Sequence, residues 1–351
     1  MYFDAKEALT QKKHKGIGMG KLASYKDFDE KMQKFSKGRQ HFKIDTVQDF
    51  DVWYSQLAAK DKVTQSNDIS NRVDTNNMFR GMGEAKYKLL TSAQRFWILN
   101  ELEQWWKPKR YLEFVNVFVE NARQKLLFKK VFEYYKLTGN QRDFPLLSIL
   151  QHYGAPTPLM DWTYNIDVAL YFATEGTTTS YSSNEIDQYF SVYQIDKQQQ
   201  KWNEFNNLID WHSGSFPRIS SFYSWEDNQN SIFYISDFEE KPNAKSFRYE
   251  RPITTIYNQN IIPQEGLFIF NPFSTKPLED CFNTDHNQDG NNLNLLPFLC
   301  VNIKKDLAEY VRRKIKFKGI DNGFIYPDLR KYCSALTDEY LNQALEHHNK
   351  V

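Results

Sequence analysis

Two short motifs constrain this chain more than any other feature, because each places polar groups in an apolar setting. The first is Phe79-Arg80-Gly81, which we expect to lie in a short strand. The second is the run 151–163, QHYGAPTPLMDWT, which is typical of a helix end, a turn and a new helix start. A guanidinium at the end of a strand is costly to bury unless it meets an anion. Arg80 therefore predicts either an anionic ligand or an internal carboxylate such as that of Asp161.

The composition excludes a disordered chain but selects no partner. Aromatic residues make up 16% of the 351 residues, and the net charge is +1. Residues 11–43 hold ten Lys or Arg against three Asp or Glu, and residues 304–318 hold seven against two. Each stretch is either a surface for an anionic target or, more simply, a solvated helix face.

The cysteines and the N-terminus indicate the compartment. Cys281, Cys300 and Cys333 are odd in number and widely spaced, so they match neither a disulfide framework nor a metal site. We expect buried free thiols in a reducing cytoplasm, and no metal. The charged N-terminus does not fit a signal peptide, and no stretch nears the ~20 apolar residues of a membrane span. The sequence therefore predicts a cytoplasmic protein with no membrane partner.

The apolar periodicity changes along the chain. Helical spacing predicts helices before residue 60, within 93–137, and in a segment with Pro145 in its first turn. Short apolar or alternating segments then predict strands. They are residues 189–195, 231–235, 266–270, 299–303 and 324–326. Helices early and strands late indicate an α+β fold with an N-terminal helical region.

Composition alone assigns no chemistry to the second motif. His152, near a helix end, is more often a structural hydrogen-bonding group than a base. Tyr153 and Trp162 would ordinarily be core aromatics. Asp161 or Thr163 can cap the helix that follows.

Together the two motifs resemble the FRG domain, a family named after its Phe-Arg-Gly triplet. Similarity continues in the segments 168–173, 263–268 and 319–329. The expected division is a basic helical extension at 1–44, an FRG domain at 45–330 and a helical tail at 331–351. The chain departs from the family where Pro158 and Asn260 replace arginines.

The FRG family is grouped with the ADP-ribosyltransferase-like folds, so the resemblance implies a split antiparallel sheet with helices and NAD as substrate. It implies that Arg80 binds the NAD phosphate or ribose. Gly81, beside Phe79, would pair with the nicotinamide amide. Gln264 or Glu265 would contact the hydroxyls of the nicotinamide ribose and would act in catalysis together with Arg80.

The resemblance also implies three further residues in the NAD site. Thr163 would brace the site, and Tyr153 or Trp162 would pack on it. The segment 251–263, with Tyr257, is the expected target-recognition loop, where a tyrosine ring can stack on a base.

The choice between Gln264 and Glu265 stays open. Cleavage of the N-glycosidic bond develops an oxocarbenium ion, which a carboxylate stabilises better than an amide does. Successive side chains on a strand point to opposite faces, so we expect only one of the two to face the ribose. The family pattern favours Gln264.

Three functions follow from these expectations. The first is an NAD-dependent ADP-ribosyltransferase, acting as an intracellular toxin or antiphage effector on a macromolecule. The basic stretches favour RNA or DNA slightly over protein as the target, and an antitoxin protein is a further expected partner. The alternative is a non-catalytic module that binds NAD, ADP-ribose or nucleic acid, which Gln264 favours. A nuclease that uses His152 ranks last, because the sequence has no cluster of metal ligands.

Overall fold

The computed structural model of the protein shows one mixed sheet of seven strands, covered by helices. The structure describes residues 22–35, 40–58, 76–104, 111–134, 143–177, 182–196, 233–235, 260–281 and 298–328, with 333, 334 and 337. The α+β class predicted from the sequence is confirmed.

The strands are β1 (His41–Ile44), β2 (Asn77–Met82), β3 (Leu159–Thr163), β4 (Tyr189–Asp196), β5 (Phe233–Ile235), β6 (Gly266–Phe270) and β7 (Phe298–Lys304). The helices are α1 (Phe28–Lys34), α2 (Val47–Ala58), α3 (Ser92–Leu99), α4 (Tyr111–Gln124), α5 (Leu126–Tyr134), α6 (Asp143–His152), α7 (Ile166–Thr174), α8 (Ala308–Phe317) and α9 (Asn322–Ile325). The early helices and the strands β4, β6 and β7 confirm the periodicity analysis.

The sheet has the order β1-β7-β4-β2-β3-β6-β5, with a parallel pair β1–β7 and antiparallel pairs elsewhere. Strand β2 pairs with β4 along its whole length, from Asn77 to Met82. It pairs with β3 only at Phe79 and Thr163. The sheet therefore opens between β2 and β3 immediately after the Phe-Arg-Gly phenylalanine.

Buried side chains form clusters on both faces of the sheet. On one face, Phe79 packs with the apolar residues of α2, α7 and α8. On that same face, Leu159 and Phe268 pack with α3, α4 and α6. The opposite face carries Met78 and Trp162. The opening between β2 and β3 thus lies where the two groups of helices adjoin.

The segment 159–163 is a strand and not the start of a helix, which corrects the expected turn. The helix that follows it, α7, is capped by Asn165, whose side chain accepts a hydrogen bond from the Asp167 N–H. Neither Asp161 nor Thr163 caps it. Thr163 instead accepts a hydrogen bond from the Asn165 N–H at 3.0 Å, outside the helix.

The domain boundary expected after residue 44 would separate β1 from the rest of the sheet. Residues 41–44 form β1 and pair in parallel with β7, so they belong to the main fold and not to an extension. Helix α1 is held there by Lys31, which has no exposed surface. Residues 1–21 lie outside the described residues, as does all of the 331–351 tail except 333, 334 and 337.

Residues 324–326 were expected to form a last strand, and the structure places them at the end of a short helix. The Asp321 side chain accepts a hydrogen bond from the Phe324 N–H and so caps α9. An apolar run of three residues fits either state, and here the cap decides it.

Gly81 is the point of closest approach between β2 and α7. A Cβ on Gly81 would lie 2.6 Å from the Ala173 nitrogen and closer still to the Ala169 carbonyl oxygen. Because both neighbours are helix backbone, neither can move aside. Glycine is therefore required at this position for packing.

We predict that Gly81→Ala lowers the free energy of unfolding by about 1–3 kcal/mol or more, because the added methyl group forces α7 away from β2. Gly83→Ala is the matched control, since the nearest atoms to its Cβ lie at 3.7 Å, and it should change stability by less than about 0.5 kcal/mol. Urea denaturation of both variants measures the difference. Equal stability of the two would contradict the packing argument.

His41 is buried in its neutral form. The Asn302 side-chain nitrogen lies 2.8 Å from His41 Nε2, and the Asn302 oxygen already accepts from Lys31 and Ser191. Nε2 must therefore accept, and the ring proton lies on Nδ1. Burial, with the nearby charges of Lys31 and Lys43, lowers the pKa of His41 to about 4.

We predict a loss of stability between pH 6.5 and pH 4 that depends on His41. The unfolded chain binds a proton at His41 near pH 6.5 and the folded chain does not, so acidification favours unfolding by up to about 3 kcal/mol. His41→Gln keeps an acceptor for Asn302 and should remove this part of the slope. Urea denaturation of both proteins across this range tests it, and identical slopes would refute it.

Candidate functional site

On the edge of β3 that faces the opening, side chains donate hydrogen bonds to the backbone carbonyls. The Leu159 carbonyl accepts a hydrogen bond from Gln151 Nε2 at 3.4 Å. The Asp161 carbonyl accepts one from the Arg80 guanidinium. Buried backbone carbonyls need partners, and here β2 has moved away. Arg80 therefore extends across the gap between β2 and β3.

Arg80 carries a positive charge that the described residues do not neutralise by a direct ion pair. Its contact with Asp161 is to the backbone, so the internal ion pair considered from the sequence does not form. Its Nε is enclosed and has no hydrogen-bond partner among the described residues. Burial lowers the pKa of Arg80 to about 10, with Asp161 opposing the shift and Arg95 adding to it. At neutral pH the guanidinium is charged, with N–H groups to donate.

Asp161 links the two sequence motifs. Its carboxylate is exposed and accepts a hydrogen bond from Gln151 Nε2 at 3.0 Å. Gln151 Oε1 accepts from the hydroxyl groups of Thr157 and Ser92. The sequence interpretation did not give Gln151 a role, although its place at the head of the second motif was a signal.

The two expected aromatic residues lie in different environments. Tyr153 follows α6 and is 74% exposed, with its ring 4.8 Å from that of His152. Trp162 is 3% exposed and packs in the core with Met78. A ligand can reach Tyr153, whereas Trp162 supports the sheet from inside.

His152 lies at the end of α6, beside Tyr153. Burial lowers the pKa of its imidazole, and the charge of Asp161 partly opposes this shift. The lowered pKa favours the neutral imidazole at neutral pH.

Gln264 and Glu265 lie in a turn before β6 and not on the strand. The expected alternation of strand side chains therefore does not apply to them. Glu265 has a φ of 46°, in the left-handed region. Gln264 Nε2 donates to the Ile325 carbonyl at 2.9 Å, and Glu265 Oε1 accepts from Asn165 Nδ2 at 3.2 Å. The two side chains thus contact α9 and the start of α7.

Thr163 fixes this turn to the opening of the sheet. Its hydroxyl donates to the Gln264 carbonyl at 2.6 Å, while its backbone pairs with Phe79. The side chain of Phe79 is buried with α7. The Phe-Arg-Gly strand, β3 and the Gln264-Glu265 turn are therefore connected through one residue.

Gly81 presents its backbone to the opening. The Tyr164 N–H donates a hydrogen bond to the Glu265 carbonyl. The backbone N–H and C=O groups of even-numbered residues in this segment therefore point toward β6, and those of Thr163 point toward Phe79. Because backbone direction alternates along a strand, Gly81 directs its N–H and C=O to the same side as Phe79. That side is where β3 has diverged. The expected pairing with nicotinamide stays a prediction.

Several expectations fall on other parts of the chain. Residues 251–259, with Tyr257, lie outside the described residues. Cys281 and Cys300 are buried free thiols as expected, but Cys333 is exposed. In the ranges that the structure describes, no group of three or more His, Cys, Asp or Glu could hold a metal ion. None of the helices among these residues is both long and apolar enough to cross a membrane.

We predict that Trp162→Ala lowers the free energy of unfolding by about 3–5 kcal/mol, because it empties a buried aromatic site. Tyr153→Ala should change it by less than about 0.5 kcal/mol, since the ring is exposed. Thermal or urea denaturation compares them. A stable Trp162→Ala protein would show that the indole is not part of the core support.

Comparison with known proteins matches the central part of the chain to a family model. Residues 75–182 match the model of the FRG domain. Searches of curated proteins and of solved structures gave no significant match. The matched range is shorter than the expected 45–330 and ends before the Gln264-Glu265 turn, but it contains β2, β3 and both sequence motifs. The chain therefore carries an FRG domain at residues 75–182.

Proposed function

We propose that this protein is an NAD-dependent ADP-ribosyltransferase that modifies a macromolecule. The observation that carries the proposal is the position of Arg80, a charged guanidinium in the opening of the sheet with a backbone carbonyl as its hydrogen-bond partner. Arginine binds phosphate oxygens through its remaining N–H groups, in bidentate geometry. Arg80 is thus suited to the NAD phosphate or the adjoining ribose.

The backbone of Gly81 would orient the nicotinamide. A carboxamide has one acceptor oxygen and an NH₂ donor, which match a neighbouring N–H and C=O on one strand edge. Thr163 would act indirectly by holding the Gln264-Glu265 turn against β3. These contacts support an arrangement in which NAD lies along the opening.

The reaction breaks the bond between the ribose C1′ and the nicotinamide nitrogen. Nicotinamide leaves with the bonding electron pair, and the positive charge develops on the ribose. A nucleophilic oxygen or nitrogen of the target then bonds to C1′ and loses its proton to solvent. In this proposal the Glu265 carboxylate stabilises the developing charge, because a carboxylate stabilises an oxocarbenium ion better than an amide does.

The basic C-terminal part of α8 favours an anionic target. Phe317 is 95% exposed, and its neighbours Lys316 and Lys318 are exposed as well. Exposed aromatic rings flanked by cations bind single-stranded nucleic acids through stacking and phosphate contacts. RNA or DNA is therefore favoured over protein as the target of an intracellular toxin or antiphage effector, with an antitoxin protein as its proposed partner.

A non-catalytic module that binds NAD or ADP-ribose is the second candidate. The observation that favours it is that the Gln264 amide and the Glu265 carboxylate are both hydrogen-bonded within the protein. Side chains committed to structural contacts are less free to stabilise a transition state. Such a module would bind the nucleotide and leave it intact.

The deciding experiment incubates the purified protein with labelled NAD and a cell lysate, followed by RNase or protease treatment. We expect label in RNA or DNA that survives protease. Arg80→Ala should abolish labelling and weaken NAD binding by about 1.5–3 kcal/mol, since it removes charge-assisted hydrogen bonds. Circular dichroism and denaturation of the same variant establish that it is folded.

The two turn residues are compared in the same assay. Glu265→Gln should lower the rate of NAD cleavage by orders of magnitude with little change in NAD affinity. If Gln264→Ala is the damaging change instead, the amide is the catalytic group. NAD binding without cleavage would establish the binding module, and binding of neither NAD nor ADP-ribose would refute both functions.

A further inference from the structure

We infer that Arg95 and Arg80 together form a site for a diphosphate group, the linkage between the two halves of a dinucleotide. This inference rests on the proposed function and names the part of the ligand that the site recognises. Arg95 was not among the residues that the sequence analysis singled out.

Helix α3, which carries Arg95, is hydrogen-bonded through Ser92 to the end of α6 and to the turn before β3. Arg95 lies one helical turn after Ser92, so the two side chains share a face of α3. Ser92 Oγ donates to Gln151 Oε1 at 3.3 Å and to the Thr157 carbonyl at 3.2 Å. Gln151 in turn donates to the Asp161 carboxylate at 3.0 Å. The helix that carries Arg95 is therefore fixed to the strand that Arg80 contacts.

Both guanidinium groups are held by neutral partners. Arg95 Nη1 donates to the Leu90 carbonyl at 2.7 Å, and Arg80 donates to the Asp161 carbonyl. Over the part of the chain that the structure describes, neither arginine forms an ion pair with a carboxylate within 4.0 Å. Each group is thus oriented by backbone and keeps further N–H donors.

The two arginines act on each other electrostatically. The charge of Arg95 lowers the pKa of Arg80, in addition to the larger effect of burial. Burial also lowers the pKa of Arg95. Asp161 is the carboxylate that opposes the shift for both residues, and it is exposed and bonded to Gln151. Two partly buried cations thus share the charge of one carboxylate, which leaves excess positive charge at the opening.

A diphosphate matches this arrangement better than a single phosphate does. It carries an anionic oxygen on each of two linked phosphorus atoms, so each guanidinium can bind one phosphate in bidentate geometry. Binding would relieve the repulsion between the arginines. A purely structural Arg95, which only fastens the chain at Leu90, would not distinguish diphosphate from monophosphate.

The experiment measures binding of pyrophosphate, phosphate and ADP-ribose to the full chain by calorimetry. We expect Arg95→Gln to weaken pyrophosphate and ADP-ribose at least tenfold, and phosphate to a smaller extent. Arg95→Lys should give intermediate affinity, because the charge remains without the planar fork. Arg313→Gln removes an exposed arginine on α8 and serves as the matched control, with no change expected.

A second measurement on the wild-type chain is independent of folding in the variants. Phenylglyoxal modifies accessible arginines, and mass spectrometry locates the products. Pyrophosphate should protect Arg80 and Arg95 together but not Arg313. Protection of Arg80 without Arg95, or unchanged pyrophosphate affinity in Arg95→Gln, would overturn the inference while leaving the proposed function intact. Pyrophosphate binding that needs Arg95 in a protein that does not bind NAD would support the inference and refute the proposed function.

Discussion

The backbone pairing of Phe79 with Thr163 is the constraint on which the rest of the site depends. It joins two strands that separate immediately afterwards, so it fixes the place where the opening begins. Beyond it, Arg80 and Gln151 supply the hydrogen bonds that a neighbouring strand would otherwise supply to β3. A cleft in a sheet normally leaves unsatisfied backbone groups. Here two polar side chains satisfy the Leu159 and Asp161 carbonyls of β3 and in doing so line the cleft.

The three residues of the Phe-Arg-Gly triplet lie in three different environments. Phe79 faces the apolar cluster under α7, Arg80 faces the opening, and Gly81 lets the backbone of α7 come close to β2. A change at one position therefore affects a different property from a change at the next. Stability and the proposed ligand binding can therefore be separated experimentally within three consecutive residues.

Much of the fold could be predicted from periodicity, and the errors have physical causes. Helices such as α2 have one buried face and a regular apolar spacing, which the sequence displays directly. Strand β3 was missed because Pro158 precedes it and the exposed Asp161 interrupts its buried residues. Strand β1 was also missed, because it is only four residues long and its partner strand β7 lies far along the chain. Arg80 was found because a cation beside apolar residues is conspicuous. Arg95 was not found, because its proposed role in diphosphate binding depends on how α3 packs.

Lys31 has a consequence for the order in which the chain folds. Its ammonium group donates to Ala85, Ser191 and Asn302, which are separated from it by 54, 160 and 271 residues. An ammonium group cannot be buried before such acceptors exist, because an unsolvated charge without partners is prohibitively costly. Helix α1 is therefore synthesised before β7 but docks only after β7 has been synthesised. The Phe-Arg-Gly strand borders this same cluster through Ser191, which pairs with Met82, so the candidate site stays incomplete in a nascent chain until β7 has been synthesised.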